Sequence, residues 1–285
     1  MVVYPFASGD TAGFWESNAS LKKGFALQEV LRKKGYKTSI SRVTNDSESD
    51  LALSTIVRLA NNSGADVFYA IHSNATGAGE NYRINYPLGL YRGYTGQPEI
   101  AGSDVLTSKL GTYLLANRST VWTREQYYIY GDWTFYPQWG DKVGLGVLRG
   151  NKVVSMLDEG SFHDYIPETY RLLNPDYCWV EGWNFSLGAD DYFGRLDLYD
   201  LGIVTGNIRD DRLLREGTFV MHGDDVRLPI HGAVVRLLDS NGDEVATTHT
   251  DSLFNGIYLF KYVEPGTYTV EVTEQIGRAS CRERV

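Results

Sequence analysis

Apolar residues in the first two thirds of the chain alternate between helical and strand spacing. A first helix is predicted from apolar residues at helical intervals, namely Leu21, Phe25, Leu27, Val30 and Leu31. The lysines between them, Lys23 included, are predicted to face solvent. Ser17 or Asn18 is a suitable N-cap, and Gly35 is a suitable end.

Further elements follow the same alternation. Helices are predicted over 51–62, 103–117, 167–173 and 177–187, and strands over 37–42, 66–71 and 153–157. The run DVFYAI at 66–71 is apolar almost throughout, which is typical of a parallel strand covered on both faces. The pattern predicts an α/β fold with a mixed, mostly parallel sheet and helices on both faces.

The pattern changes at about Gly202, where short β runs replace helices. Asn241-Gly242 between two such runs is a strong hairpin signal, and Pro265-Gly266 indicates another turn. This part is predicted to be a small antiparallel β-sandwich. The domains are therefore predicted at 1–190 and 202–274, with a linker around 188–201.

Composition narrows the classes of function. The 285 residues carry a net charge of −9, which argues against a general phosphate-binding surface. Two cysteines, Cys178 and Cys281, are too few for a disulfide framework or a cysteine zinc cluster. No apolar run reaches the length of a transmembrane helix.

Both ends of the chain have unusual sequences. Val2-Val3-Tyr4 reads as the middle of a segment, without the features of a signal peptide. The run from Ile276 to Val285 resembles the translation of a sequencing adapter, so 275–285 is predicted to be a non-native tail. We expect the first domain to be N-terminally truncated.

Three residues that could perform chemistry lie at the ends of predicted elements. His72 ends one buried strand, Glu159 ends another, and Glu16 precedes the first helix. Ligand sites in open α/β sheets form at the carboxyl ends of strands, and these residue types suit a zinc site. Taken singly, each has a structural alternative: a satisfied histidine, a helix-capping carboxylate, or a solvated Asp158-Glu159 pair.

Together these segments resemble the zinc-dependent N-acetylmuramoyl-L-alanine amidases. The resemblance rests on Glu16 with the following SLKKGFALQEVLRKKGY, on Ser41-Arg42, and on LANNSGADVFYAIHSNA and GVLRGNKVVSMLDEGSF. It spans roughly residues 13–174 in the family's order and spacing. It implies that Glu16 and His72 are zinc ligands and that Glu159 is the catalytic carboxylate.

The resemblance also implies the substrate, the cofactor and the location. Zinc would be the cofactor, and the bond between N-acetylmuramic acid and L-alanine of peptidoglycan would be cleaved. A periplasmic or extracellular location follows from that substrate. The family's first ligand is a histidine upstream of Glu16, but no histidine precedes His72 here. We therefore expect weak zinc binding and impaired activity.

His163 follows Glu159 by four residues, so it is a candidate to complete the metal site. The alternative is a histidine at the pocket rim that hydrogen-bonds within its loop. Two other functions stay open: a non-catalytic wall-binding or glycan-binding protein, and a zinc carboxypeptidase. Carboxypeptidases need His-x-x-Glu, but Gly13 stands three residues before Glu16.

Two further segments have provisional assignments. Residues 202–273 resemble the carboxypeptidase-regulatory or Cna-B type of prealbumin-like module, which implies a spacer or adhesion unit. An aromatic run lies between Tyr127 and Trp139, without clear periodicity. It could line a glycan or peptide groove, or it could pack beneath a long loop.

Overall fold

The structure is a computed structural model that describes residues 14–77, 81–117, 120–215, 223–250, 255–273 and 281–284. Its N-terminal part is an α/β unit with a four-stranded sheet. The elements are α1 (Glu16–Lys33), α2 (Leu53–Asn62), β1 (Val67–Asn74), β2 (Leu88–Tyr91), β3 (Gly93–Tyr94), β4 (Gln97–Pro98), α3 (Ser103–Ala116), β5 (Tyr128–Gly131), α4 (Asp132–Phe135), β6 (Val154–Phe162), α5 (Ile166–Leu173) and α6 (Pro175–Tyr192).

The central sheet has the order β1-β6-β2-β5. The β1–β6 and β2–β5 pairs are parallel, whereas β2 and β6 are antiparallel. Helices α1, α3 and α6 cover one face, where Leu27, Leu110, Met156 and Phe185 share a buried cluster. Helix α2 and the loop before β6 cover the other face. The predicted mixed sheet with helices on both faces is confirmed.

Helix α1 differs from its prediction in its N-cap and in its buried face. It begins at Glu16, and Trp15 is its N-cap without a side-chain hydrogen bond, so neither Ser17 nor Asn18 caps it. Phe25 is 39% exposed, whereas Lys23 is fully buried. The buried face is rotated because α1 packs along α6, where Glu181 neutralises Lys23.

The predicted strand at 37–42 is absent from the described structure. A strand needs a hydrogen-bonded neighbour, and no described strand pairs with this segment. Arg42 instead donates to the carbonyl of Ser17 at 2.5 Å, which ties the segment to the first turn of α1. Strands β2 and β5 were not predicted, because a strand of four residues is too short to show a periodic pattern.

The C-terminal part is a β-sandwich, as predicted. Its strands are β7 (Gly202–Asn207), β8 (Arg209–Leu214), β9 (Arg227–Pro229), β10 (Val234–Leu238), β11 (Glu244–His249), β12 (Ile257–Val263), β13 (Thr269–Thr273) and β14 (Cys281–Arg284). One sheet has the order β11-β10-β13-β14, and β12 pairs with β7. Gly242 adopts a φ of 88° in the β10–β11 hairpin, as Asn-Gly turns require.

Strand β14 lies in the predicted non-native tail. Its backbone pairs antiparallel with β13. The origin of the tail and the domain limits stay predictions. Helix α6 continues to Tyr192, so Gly188 lies inside a helix. That glycine allows close helix packing, since a Cβ there would lie 2.6 Å from the Cα of Leu110.

Alternate residues of β12 pack in opposite directions. Tyr258 and Phe260 contact the sandwich interior with Val235. Leu259 instead packs against α1 and α6, in a cluster with Trp183. Because β12 is covered on both sides, helices, the β7–β12 pair and the larger β-sheet form consecutive layers.

Candidate active site

The two sheet residues of the candidate site lie side by side. Strands β1 and β6 run parallel, and His72 is the register partner of Glu159. The carboxyl ends of both strands therefore meet at one edge of the sheet. The register shifts immediately after His72, between that residue and Asn74, so the strand end is irregular there.

The first turn of α1 brings Glu16 to the same place. Its Oε1 lies 2.9 Å from Nδ1 of His72 and accepts a hydrogen bond from the backbone N–H of Ser73 at 3.2 Å. Both side chains keep partial solvent access, with 44% of His72 and 30% of Glu16 exposed. The structure thus brings together residues that are 56 positions apart in sequence.

The surroundings of Glu16 and Glu159 shift the pKa values of the two carboxylates in opposite directions. Burial would raise the pKa of Glu16, but the hydrogen bond and charge of His72 outweigh it and lower the pKa. Burial raises the pKa of Glu159 to about 7; the charge of Glu16 adds to this, and that of His72 opposes it. Burial would lower the pKa of His72, but the hydrogen bond to Glu16 and the charge of Glu16 outweigh burial. The pKa of His72 is therefore raised. One carboxylate is therefore held ionised, and the other is poised to exchange a proton near neutrality.

Glu159 also carries an unused acceptor. Its Oε2 atom is buried and has no hydrogen-bond partner among the described residues. An orphaned carboxylate oxygen is costly unless a ligand, water or metal meets it. The neighbouring imidazole and ionised carboxylate are donor types that zinc binds, so the chemistry of the donors is compatible with a metal. Within the described ranges, however, no three His, Cys, Asp or Glu side chains group closely enough to hold a metal ion.

His163 lies next to this pair but bonds elsewhere. Its Nδ1 lies 2.8 Å from the carbonyl oxygen of Ser73 and 3.0 Å from the hydroxyl of the same residue. A carbonyl only accepts, so Nδ1 carries the proton and donates. The ring is 7% exposed and packs near Phe14, and burial lowers its pKa. The hydrogen bond of His163 therefore runs to β1 and not within its own loop, so the loop-bonding alternative is not matched in this detail.

Asp158 lies on the opposite face from Glu159. It is fully buried on the side of α1 and α6, and its Oδ1 accepts from the hydroxyl of Tyr127 at 3.2 Å. Below it, Lys23 forms an ion pair with Glu181 at 2.6 Å. Burial raises the pKa of Asp158 well above the usual range, which favours its protonated form. Sequence patterns gave no signal for this buried charged group, because Lys23 reads as a solvent-facing lysine.

Aromatic residues extend from the site across the sheet. Glu159 is paired with Leu88 on β2, and Leu88 is paired with Tyr128 on β5. Residues in one row across a sheet share a face, so Tyr128 lies on the face of Glu159, two strands or about 10 Å away. Tyr136 is also close enough to Glu159 to respond to its charge. Burial and then the negative charge of Glu159 raise its pKa to about 12.

The N-terminal unit is related to known amidases. A family model described as N-acetylmuramoyl-L-alanine amidase matches residues 6–177, and one described as SdrD B-like domain matches 222–284. No curated protein matches the chain. None of the helices in the described ranges is long and apolar enough to cross a membrane.

Solved structures show the same fold. An N-acetylmuramoyl-L-alanine amidase from Clostridium difficile 630 is 21% identical with a TM-score of 0.52, covering 65% of this chain and 87% of that one. The amidase AmiC2 of Nostoc punctiforme is 19% identical with a TM-score of 0.52, over 65% and 88%. Cwp6 from Clostridium difficile is 24% identical with a TM-score of 0.52, over 65% of this chain and 26% of its own. With the family match spanning more than half of its length, the chain belongs to the N-acetylmuramoyl-L-alanine amidase family.

Proposed function

We propose that the chain is a zinc-dependent hydrolase of the amide between N-acetylmuramic acid and L-alanine in peptidoglycan. The observation that carries the proposal is the convergence of Glu16, His72 and Glu159 at one sheet edge. Glu16 and His72 would hold the metal. When bound, zinc would supply Lewis acidity toward the scissile carbonyl.

Glu159 would act as the general base and then as the general acid. Its carboxylate would accept a proton from the attacking water and then deliver that proton to the departing amine of L-alanine. A pKa of about 7 suits both halves of this exchange. Peptidoglycan as substrate supports a periplasmic or extracellular location. Only two metal-binding side chains meet among the described residues, which supports weak zinc binding and reduced turnover in this chain.

The test measures new L-alanine N-termini released from purified peptidoglycan, with and without added zinc. We expect slow, zinc-dependent release by the full chain. Glu159→Gln keeps the shape of the side chain but removes the base, so release should fall by about 100- to 10,000-fold, or below detection. Zinc affinity should be unchanged in Glu159→Gln, whereas His72→Ala should lose both zinc and activity.

Two outcomes would contradict the proposal. Release that does not depend on zinc would exclude the metal role of Glu16 and His72. Zinc binding without any release would favour the alternative of a non-catalytic wall-binding protein. The family match supports an amidase rather than a zinc carboxypeptidase.

A further inference from the structure

The aromatic residues near Glu159 form a continuous strip of ring contacts. We use "aromatic strip" for Phe162, Tyr86, Tyr128, Tyr130, Phe135, Tyr136 and Trp139. Successive ring centroids in that order are 4.7, 5.0, 6.4, 5.5, 4.8 and 3.9 Å apart. The strip therefore begins three residues after Glu159 and ends at Trp139.

One side of the strip is packed, and the exposure of its rings is greatest at Trp139. The five rings between Phe162 and Trp139 rest on Leu88, Leu90 and Leu148 of the underlying core. Phe162 is buried, the five rings that follow are half-buried, and Trp139 is 48% exposed. Trp139 lies parallel to Tyr136, with an angle of 2° between the ring planes. Packing against the core fixes the rings, so they offer a rigid surface at little cost in side-chain entropy.

The chemistry of this surface favours sugar rings. Pyranose rings have apolar C–H faces and hydroxyl edges, which match flat aromatic faces interspersed with tyrosine hydroxyls. A bound peptide would bring amides and carboxylates that need polar partners. The guanidinium of Arg124 lies over the rings of Tyr86 and Tyr128. These two rings belong to the end of the strip that is nearer Glu159. The Tyr136–Trp139 end is a pair of parallel stacked rings.

We propose that the aromatic strip binds the glycan strand of peptidoglycan and holds it beside Glu159. This rests on the proposed function, because the scissile amide joins the glycan to the stem peptide. The row of register partners from His72 through Glu159 and Leu88 to Tyr128 makes the strip continuous with the candidate site. A glycan on the strip would place its lactyl-linked peptide toward the sheet edge.

The test is a binding titration of the full chain in chelator, so that hydrolysis plays no part. The probes are glycan strands of alternating N-acetylglucosamine and N-acetylmuramic acid without peptides, and the free stem peptide. Wild type should bind the glycan more tightly than the peptide. Trp139→Ala should weaken glycan binding by about tenfold or more, as for other anchoring tryptophans, whereas Trp139→Phe should retain most of the affinity.

Phe25→Ala is the matched control, because Phe25 is a similarly exposed aromatic residue on α1, at 39%. It should bind the glycan as wild type does. Equal glycan affinity of Trp139→Ala and wild type would overturn the proposal. Absence of glycan binding by wild type, or a preference for the stem peptide, would overturn it too. Because no turnover is needed, a failure of the amidase assay would leave this result readable.

Discussion

At the scale of single residues, two adjacent carboxyls on β6 have opposite surroundings. Glu159 lies beside His72 near the carboxyl end of β6, and Asp158 is enclosed with Tyr127 on the helical side. Each keeps one buried oxygen without a hydrogen-bond partner among the described residues. Alternation along a strand turns neighbouring side chains to opposite faces. The same motif therefore contains one residue available for chemistry and one that belongs to the core.

The substitution Asp158→Asn should therefore have only a small effect on activity and on stability. The carboxyl already favours its protonated form, and an asparagine Oδ1 can still accept the hydrogen bond from Tyr127. We expect release of L-alanine termini within about threefold of wild type and a change in the free energy of unfolding near 1 kcal/mol. If Asp158→Asn abolished release while Glu159→Gln preserved it, the motif would be assigned one residue out of register.

Zinc affinity tests the part played by His163. Its Nδ1 hydrogen is committed to Ser73, and the ring does not group with Glu16 and His72. Calorimetric titration should therefore show weak zinc binding that His163→Ala leaves unchanged within about threefold, because two ligands rarely hold an open zinc site. Loss of binding in His163→Ala would instead make His163 a ligand.

At the scale of elements, β12 is the strand most dependent on its surroundings. Its residues face the sandwich interior and the helices in alternation, so each face completes a different core. Sequence patterns predicted the strand, because GIYLFKYV is strongly apolar, but they gave no sign that α1 and α6 cover one side. That contact joins residues more than 70 positions apart, which local periodicity does not encode.

Leu259→Ala should destabilise the whole chain. Leu259 is 7% exposed among Trp179, Val180 and Trp183, so truncation leaves a cavity where the two parts of the molecule meet. We expect a loss of about 2–5 kcal/mol in the free energy of unfolding, measured in urea. Val245→Ala on β11, where the side chain is 53% exposed, should stay within about 0.5 kcal/mol. Equal effects of the two would show that the helices do not cover β12.

The candidate site shows how far sequence reasoning reaches. The sequence alone placed His72 and Glu159 at one edge of a sheet, because buried strands and their polar ends are visible as patterns. The structure adds that the two strands are neighbours and that they continue to Asn74 and Phe162. It also identified Glu16 through family resemblance. The aromatic run between Tyr127 and Trp139 was visible in the sequence as a possible groove, but its connection to Glu159 was not, because the pairing of β5 with β2 is non-local. The burial of Lys23 was missed for a similar reason, since its partner Glu181 lies 158 residues away.

At the scale of the whole molecule, buried charges connect the two parts of the chain. Asp225, from the segment before β9, accepts from Arg171 at 2.7 and 3.1 Å and from the hydroxyl of Tyr165 at 3.0 Å. Arg171 and Asp225 are each 1% exposed. Tyr165 closes the loop that follows β6, so the C-terminal unit supports the segment leading away from Glu159. This is more than the spacer role that the resemblance implies.

Asp225→Asn should test that support. Burial would raise the pKa of Asp225, but Arg171 outweighs it and lowers the pKa. The ion pair therefore contributes stability at neutral pH that is lost as the pH falls below about 4, through the lowered pKa of the folded state. At pH 7 the variant should lose about 3–5 kcal/mol in the free energy of unfolding.

The difference between Asp225→Asn and wild type should shrink in acid, where both lack the charge. Asp224→Asn is the control, because that side chain is 83% exposed. It should change the stability by less than about 0.5 kcal/mol at any pH. A pH-independent difference for Asp225→Asn would mean that the carboxylate charge does not connect the two parts.

The covering of β12 by α6 also has an optical consequence. Trp179 and Trp183 lie 5.7 Å apart at 21°, and Tyr262 of β12 meets both edge-on at 5.5 and 6.3 Å. Indoles this close share their electronic excitation, so the pair should give an intense near-ultraviolet circular dichroism band. Detaching β12 would admit water to both rings and shift their emission to the red. The chain thus contains its own spectroscopic reporter of whether its two parts are joined.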